Sequence, residues 1–357
     1  MVPGGRGAHG ADRIAKPVRE GPPSLPYACP VTPAELSRTV LHAVCRAVED
    51  GVLRAPVPES VRVERPRPGG SGDYATNVAL RLAGPAGQQP RAVAEMLRAR
   101  IAQAPGIAGI EITGPGFLNI TLDDGAQQDL VRRVLEQGLA YGHGDSAAGV
   151  SVPFYAVDFH AADELRARIW AQTVLKLLRA QGADVTHGAP EDLNAVPAPA
   201  QDLLERLGPD AARWALLRAA VHDHPHAEDE LLTQHEANPL FRVQYAYSRT
   251  RALTRGAEQL GFDSAPRTHV DAPALATAIG DYPAVLASAA RLRAPDRLAR
   301  HLESTADALL AFQHTVLPLG DEKPMAAHRS RLALAEAAGV VLAGGLSLLG
   351  ITAPDYL

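Results

Sequence analysis

Asn238-Pro239-Leu240-Phe241-Arg242-Val243-Gln244-Tyr245-Ala246-Tyr247-Ser248-Arg249 opens a helix. An asparagine can cap the first free N–H groups, and a proline at the first helical position lacks only an N–H that would be unpaired there anyway. Outward from this stretch, similar punctuation recurs at Gly208-Pro209, Ala272-Pro273, Ala294-Pro295 and Lys323-Pro324. Between these breaks every segment from Asp202 onward carries helical spacing, which predicts an all-α bundle. Ala337–Pro354 is uncharged, but it holds four glycines and continues the helical pattern from Glu336. It reads as the buried last helix of the bundle rather than a membrane span.

The first half has a different grammar. Residues 1–30 are rich in Pro, Gly and charge and are expected to be disordered. Thr32, Pro33 and Glu35 form a capping-box start for a helix running to about Asp50. Val61–Arg65, Ile107–Thr113 and Phe117–Leu122 read as strands, the last two joined by a Gly-Pro-Gly turn. Residues 74–83 and 91–103 carry helical spacing, and a helix from about Gly125 to Leu139 closes a small α+β domain. An apolar strand, Val152–Asp158, and a helix, Leu165–Ala180, follow, with Phe154, Ile169 and Leu177 expected to be buried. Residues 187–200 then lack periodicity and read as a linker.

The 357 residues have room for two or three domains, and 46% hydrophobic content suffices for packed cores. Cys29 and Cys45 cannot build a disulfide framework or a four-cysteine zinc site, and free thiols suit a reducing cytoplasm. Arg6, Arg13 and Arg19 have no apolar run behind them, so no secretory signal is read. The net charge is −5, with 12 Lys+Arg against 13 Asp+Glu in residues 31–150 and 15 against 19 in residues 200–357. Neither half is basic, so contact with RNA would need a local arginine cluster and would be modest and salt-sensitive.

Gly72-Asp73-Tyr74-Ala75-Thr76-Asn77 and Gly114-Pro115-Gly116-Phe117-Leu118-Asn119 resemble the N-terminal domain of bacterial arginyl-tRNA synthetases, which packs against the tRNA elbow. Gly208-Pro209-Asp210-Ala211-Ala212-Arg213-Trp214, the stretch from Asn238 and Leu349-Gly350-Ile351-Thr352-Ala353-Pro354 resemble the family's DALR anticodon-binding domain. The resemblance implies an α+β architecture: an N-terminal-like domain over 31–145, a strand-helix remnant of a nucleotide-binding fold with its linker over 146–200, and an all-α anticodon-binding-type domain over 201–357.

Between the two resemblances there is little room for catalysis. A doubly wound nucleotide-binding sheet needs two βαβαβ halves, each βαβ taking roughly 30 residues or more, and only 151–199 are free. The family's His-x-Gly-His signature, which stabilises charge on the ATP α-phosphate, falls on Ala161-Ala162-Asp163-Glu164. Losing one such donor typically costs roughly 10²- to 10³-fold in rate, and a carboxylate beside phosphate adds repulsion. No lysine occurs between Lys176 and Lys323 to supply the class's lysine loop. A pseudoenzyme is expected, with no catalytic residues, no cofactor and no metal. His160 reads as a surface residue and His222, His224 and His226, with their acidic neighbours, as a solvated connection rather than a metal site.

The candidate tRNA contacts follow from the resemblance and from residue chemistry. Asn119 matches the family's asparagine that reads a D-loop base, and a carboxamide offers both donor and acceptor. Arg242, Tyr245 and Arg249 share one helix face, where an aromatic ring between guanidinium groups can stack a loop base; core packing of Tyr245 and Phe241 is the alternative. Arg297 and Arg300, with His301, form a second short basic stripe. The leading expectation is a cytoplasmic protein that binds or senses tRNA without aminoacylation, weakly and salt-sensitively. A protein-interaction or regulatory module that has lost RNA, acting through a protein partner or homodimer, is the alternative, and a ligase working with a separate catalytic chain is a third.

Overall fold

The computed structural model describes residues 33–64, 66, 71–123, 125–151, 165–185, 195–199 and 202–357. The expectations placed on residues 1–30, Thr32, the strand Val152–Asp158 with Phe154, His160 and the signature Ala161–Glu164 lie outside the described residues.

The N-terminal part contains helix α1 (Pro33–Glu49), strands β1 (Val63–Glu64) and β2 (Tyr74–Thr76), helices α2 (Val78–Ala86) and α3 (Pro90–Ile101), and strands β3 (Ile107–Thr113) and β4 (Phe117–Leu122). The strands form one antiparallel sheet in the order β1-β2-β4-β3. Alternation along β4 puts Leu118 and Ile120 into the core with Tyr74 and Thr76, against Leu36, Val40, Leu82 and Leu97 of the helices. Residues 74–76, expected in a helix, are a strand because Tyr74, Ala75 and Thr76 pair with Ile120, Asn119 and Leu118. Helical spacing is satisfied only from Val78 onward.

The two glycine motifs stitch this sheet. Gly72 has φ +78°, and a Cβ there would lie 2.9 Å from the Ile120 carbonyl oxygen. That close crossing lets Asp73 N–H donate to Ile120 O at 2.8 Å while the Asp73 carboxylate accepts from Leu122 N–H at 2.8 Å. Gly116, at φ +148°, turns the β3–β4 hairpin so close to α3 that a Cβ would sit 2.9 Å from Pro90 O.

The second part is helical: α4 (Ala126–Gln137), α5 (Leu165–Ala180), α6 (Leu203–Arg218), α7 (Pro239–Gln259), α8 (Pro273–Arg291), α9 (Pro295–Phe312) and α10 (Ala326–Leu349). Asn238 caps α7 as its chemistry dictates, its Oδ1 accepting from Leu240 N–H and Phe241 N–H. The residues before α8 and α9 are alanines without a side-chain cap, so proline alone marks those starts. Gly208, at φ 73° and ψ 171°, breaks α6 into two helical pieces, so that Pro209 opens the second of them. α10 is long and apolar enough to cross a membrane, yet most of it is buried, touching α4, α5, α6, α7, α8 and α9. It is the bundle's central helix.

α4, expected to close the N-terminal domain, buries Ala126, Leu130, Val131 and Val134 in the bundle core instead. Its apolar stripe finds no room on the sheet, whose covered face is filled by α1, α2 and α3. The carboxamide of Gln127 exchanges two hydrogen bonds with the backbone of Val270, at 2.8 and 2.6 Å. Arg133 pairs with Glu35 of α1, and α1 also packs against α8.

α5 is an interior helix as well, packed against α6, α8, α9 and α10. Ile169 and Leu177 are buried, as expected. The fully buried Arg166 spends all five guanidinium N–H donors on carbonyls: Leu216, Val196, Asp223, Ala219 and Ala220, at 2.8–3.1 Å. Three of these carbonyls lie at the end of α6, where the helix dipole favours a cation. Trp170, beside Arg166, donates its indole N–H to Arg293 O at 2.9 Å. Before α5, Ser151 makes an isolated parallel bridge with Asp184, which follows the helix.

Candidate RNA-binding surfaces

Asn119 lies on the sheet face opposite the N-terminal core, between Ala75 of β2 and Glu111 of β3. It is only 6% exposed, and its Nδ2 donates to Thr113 Oγ1 at 2.8 Å. One of its two N–H donors is thus spent within the sheet. Phe117, two residues earlier on the same face, is 42% exposed and offers the ring that a splayed base would stack on. Spacing did not single it out, because alternation alone does not distinguish an open sheet face from a covered one.

Arg242, Tyr245 and Arg249 do share a flank of α7. Arg242 Nε lies 3.0 Å from the Asp307 carboxylate of α9, and Arg249 Nε donates to Gln313 Oε1 at 2.7 Å. Tyr245 stacks on Phe241, ring centres 5.6 Å apart, with both half-buried. The arrangement combines the two readings: an aromatic pair that keeps an open face, flanked by guanidinium groups already holding protein partners.

The second stripe divides. Arg297 is exposed and reaches Ser288 Oγ at 3.4 Å, while Arg300 pairs with Asp296 on its own helix. His301 is not part of the basic surface. A helix turns 100° per residue, which carries its imidazole inward to face the Tyr282 ring, 6.0 Å away between centres. Burial lowers its pKa to about 4, opposed only by a backbone hydrogen bond to Ala278, so the ring is neutral near pH 7. Of the histidines read as a solvated connection, His222 and His224 are exposed and His226 too.

The opposite flank of α7 carries a constellation that the sequence reading passed over. Tyr247 OH donates to Asp355 Oδ1 at 3.2 Å, and Arg251 Nε reaches the same oxygen at 3.2 Å. Arg255 lies over the Tyr356 ring, 4.2 Å from its centre. Burial first, and then Asp355, raise the pKa of Tyr247. The i, i+4 arginines were visible in the sequence; what lies on them was not. Nearby, Lys176 and Arg213 converge on Gly350 at the end of α10, and the Lys176 pKa is lowered by burial and by Arg213.

Comparison with known proteins places these surfaces in a family context. The arginyl tRNA synthetase N terminal domain matches residues 35–122, and the DALR anticodon binding domain matches residues 243–357. The arginine–tRNA ligase of Frankia alni is 27% identical over 552 residues, covering 92% of this chain and 100% of that protein. The ligase of Renibacterium salmoninarum is 26% identical over 550 residues, with the same coverage. Both aligned spans exceed the 357 residues of this chain. Among solved structures, the Thermus thermophilus arginyl-tRNA synthetase has a TM-score of 0.57 at 15% identity, covering 91% of this chain and 100% of that one. The Plasmodium falciparum arginyl-tRNA synthetase has a TM-score of 0.60 at 10% identity, covering 94% and 100%. The chain is therefore arginyl-tRNA synthetase-like, a helix-rich protein with that family's N-terminal domain and a DALR anticodon-binding domain.

Proposed function

We propose that the protein binds or senses tRNA and makes no arginyl adenylate. The observation that carries this reading is the packing of α5. The resemblance sets this helix directly after the ATP signature, where a synthetase would lay it on a nucleotide-binding sheet. Here twelve of its sixteen residues are buried, its neighbours are α6, α8, α9 and α10, and its Arg166 is consumed by five carbonyls. Little of the helix remains for a sheet. The length difference from the aligned ligases and the residues Ala161-Ala162-Asp163-Glu164 support the same reading.

Binding would use both ends of the chain, the Asn119–Phe117 face toward the tRNA elbow and the Arg242–Tyr245–Arg249 flank toward the anticodon loop. About three phosphate contacts would give a slope near −2 in log K against log salt. A filter-binding titration with total tRNA at low and moderate salt, paired with arginine-dependent pyrophosphate exchange, tests the whole reading. Salt-sensitive retention without exchange is the expected result; exchange well above a no-enzyme control overturns it. Arg242→Glu should weaken tRNA binding without unfolding the chain, and unchanged affinity removes the anticodon flank. The net charge of −5 and the Arg242–Asp307 pair favour a second reading, a protein-interaction module, which the absence of tRNA retention at low salt would select.

A further inference from the structure

The segment after α10 is pinned and then released. Thr352 N–H and hydroxyl donate to Asp210 Oδ1 at 3.2 and 3.4 Å, and Gln244 Nε2 donates to Thr352 O at 3.0 Å. Beyond this anchor, Tyr356 is 72% exposed and Leu357 52%, and Leu357 edges a groove of about 270 Å³ lined by Leu207, Leu240 and Phe241. What holds Asp355 and Tyr356 is the α7 flank already described. Two donors, the Tyr247 hydroxyl and the Arg251 guanidinium, converge on one carboxylate oxygen, as side chains do on a phosphate oxygen. One turn further on, Arg255 faces the flat of an aromatic ring, as it would a stacked base. Glu258 follows three residues later, so the cationic stretch is about one or two nucleotides long.

We infer that the Tyr247–Arg251–Arg255 flank of α7 is a second contact surface for single-stranded RNA, and that Asp355–Tyr356 occupies it as an internal stand-in for phosphate and base. The inference rests on the RNA-binding reading above but uses the other flank of the helix. Asp355 and Tyr356 are held weakly. The Arg251 and Asp355 side chains are 47% and 52% exposed, and an exposed ion pair or cation–π contact each holds by at most about five-fold. RNA can therefore displace the segment, while the Thr352 anchor keeps α10 in place.

The test is fluorescence anisotropy of the full chain with a labelled oligoadenylate of about 12 nucleotides, at about 50 mM salt. Asp355→Asn/Tyr356→Ala should bind roughly 5- to 10-fold more tightly than the unaltered chain, the product of losing two weak contacts. Adding Arg251→Gln and Arg255→Gln should abolish the gain. Unchanged or weaker binding by the Asp355→Asn/Tyr356→Ala chain overturns the inference. So does a gain confined to a synthetic Thr-Ala-Pro-Asp-Tyr-Leu peptide, which would mark a peptide site. Should the double variant unfold, Tyr356→Ala alone, at a mostly exposed ring, decides the matter. The Arg242→Glu titration with tRNA reads the other flank, so each failure is seen separately: loss there with no gain here sinks only the stand-in, and the reverse sinks only the anticodon flank.

Discussion

Arg166→Leu should destabilise the bundle by about 4 kcal/mol. The side chain is fully buried, and its removal leaves the carbonyls of Leu216, Val196, Asp223, Ala219 and Ala220 without the donors they now accept from. A hydrogen bond to a charged group contributes roughly 1.5–3 kcal/mol, and a buried acceptor left unpaired costs about 1–3 kcal/mol. Five such losses do not add, because the α6 end and the 219–223 loop can relax and admit water, and because removing a buried cation also relieves its desolvation. About 4 kcal/mol is what survives that discount, against a typical total of about 5–15 kcal/mol. Arg166→Lys should lose most of the same amount, since three donors on a point charge cannot reach five carbonyls spread around a planar fork. Urea unfolding followed by tryptophan fluorescence reads this core directly, because Trp170 and Trp214 are both fully buried in it. A loss below about 1 kcal/mol in Arg166→Leu would refute the account of α5 as a locked interior helix.

Three further outcomes follow from particular contacts. His301 has a folded pKa lowered to about 4, so the unfolded chain takes up the proton first as pH falls; stability should drop by about 2 kcal/mol between about pH 7.5 and pH 5, and His301→Phe, which cannot titrate, should flatten that drop in urea midpoints. Gly345→Ala should destabilise by about 1–2 kcal/mol despite alanine's better helix propensity, because its Cβ would lie 2.5 Å from Leu302 Cδ2; a melting temperature equal to or above the parent's would contradict this. Gln127→Ala removes both hydrogen bonds to Val270 and should cost about 1–2 kcal/mol, read as faster amide exchange at Val270.

Local chemistry in the sequence was enough to place most helices and the β3–β4 hairpin. Asn238-Pro239 marks the start of α7 with a cap and a fixed φ, and Leu165–Ala180 shows its helical stripe without any knowledge of neighbours. Ile107–Thr113 and Phe117–Leu122 match the observed strands, and the Gly-Pro-Gly turn between them sets the ends at Thr113 and Phe117. Those signals act within a few residues, where backbone preference and side-chain period are set. Pairing across the chain acts elsewhere. Tyr74–Thr76 is a strand only because β4 lies beside it, and α4 belongs to the bundle core because the apolar face of the sheet is already covered by α1, α2 and α3.

The site shows the same division more sharply. The spacing of Arg242, Tyr245 and Arg249 fixed their shared flank, but Asp307 and Gln313, some sixty residues away, decide how free those guanidinium groups are. His301 looked like part of a basic stripe until the helix phase turned it onto Tyr282. Nothing local to Arg166 announces five carbonyls, and nothing local to Arg251 announces Asp355; both partners arrive through long-range closure of the chain. Sequence determined which chemical groups the protein owns and which elements carry them, because propensity and periodicity are local. The tertiary structure alone decided which groups are spent on one another and which stay exposed, because that depends on what packing brings within hydrogen-bond reach.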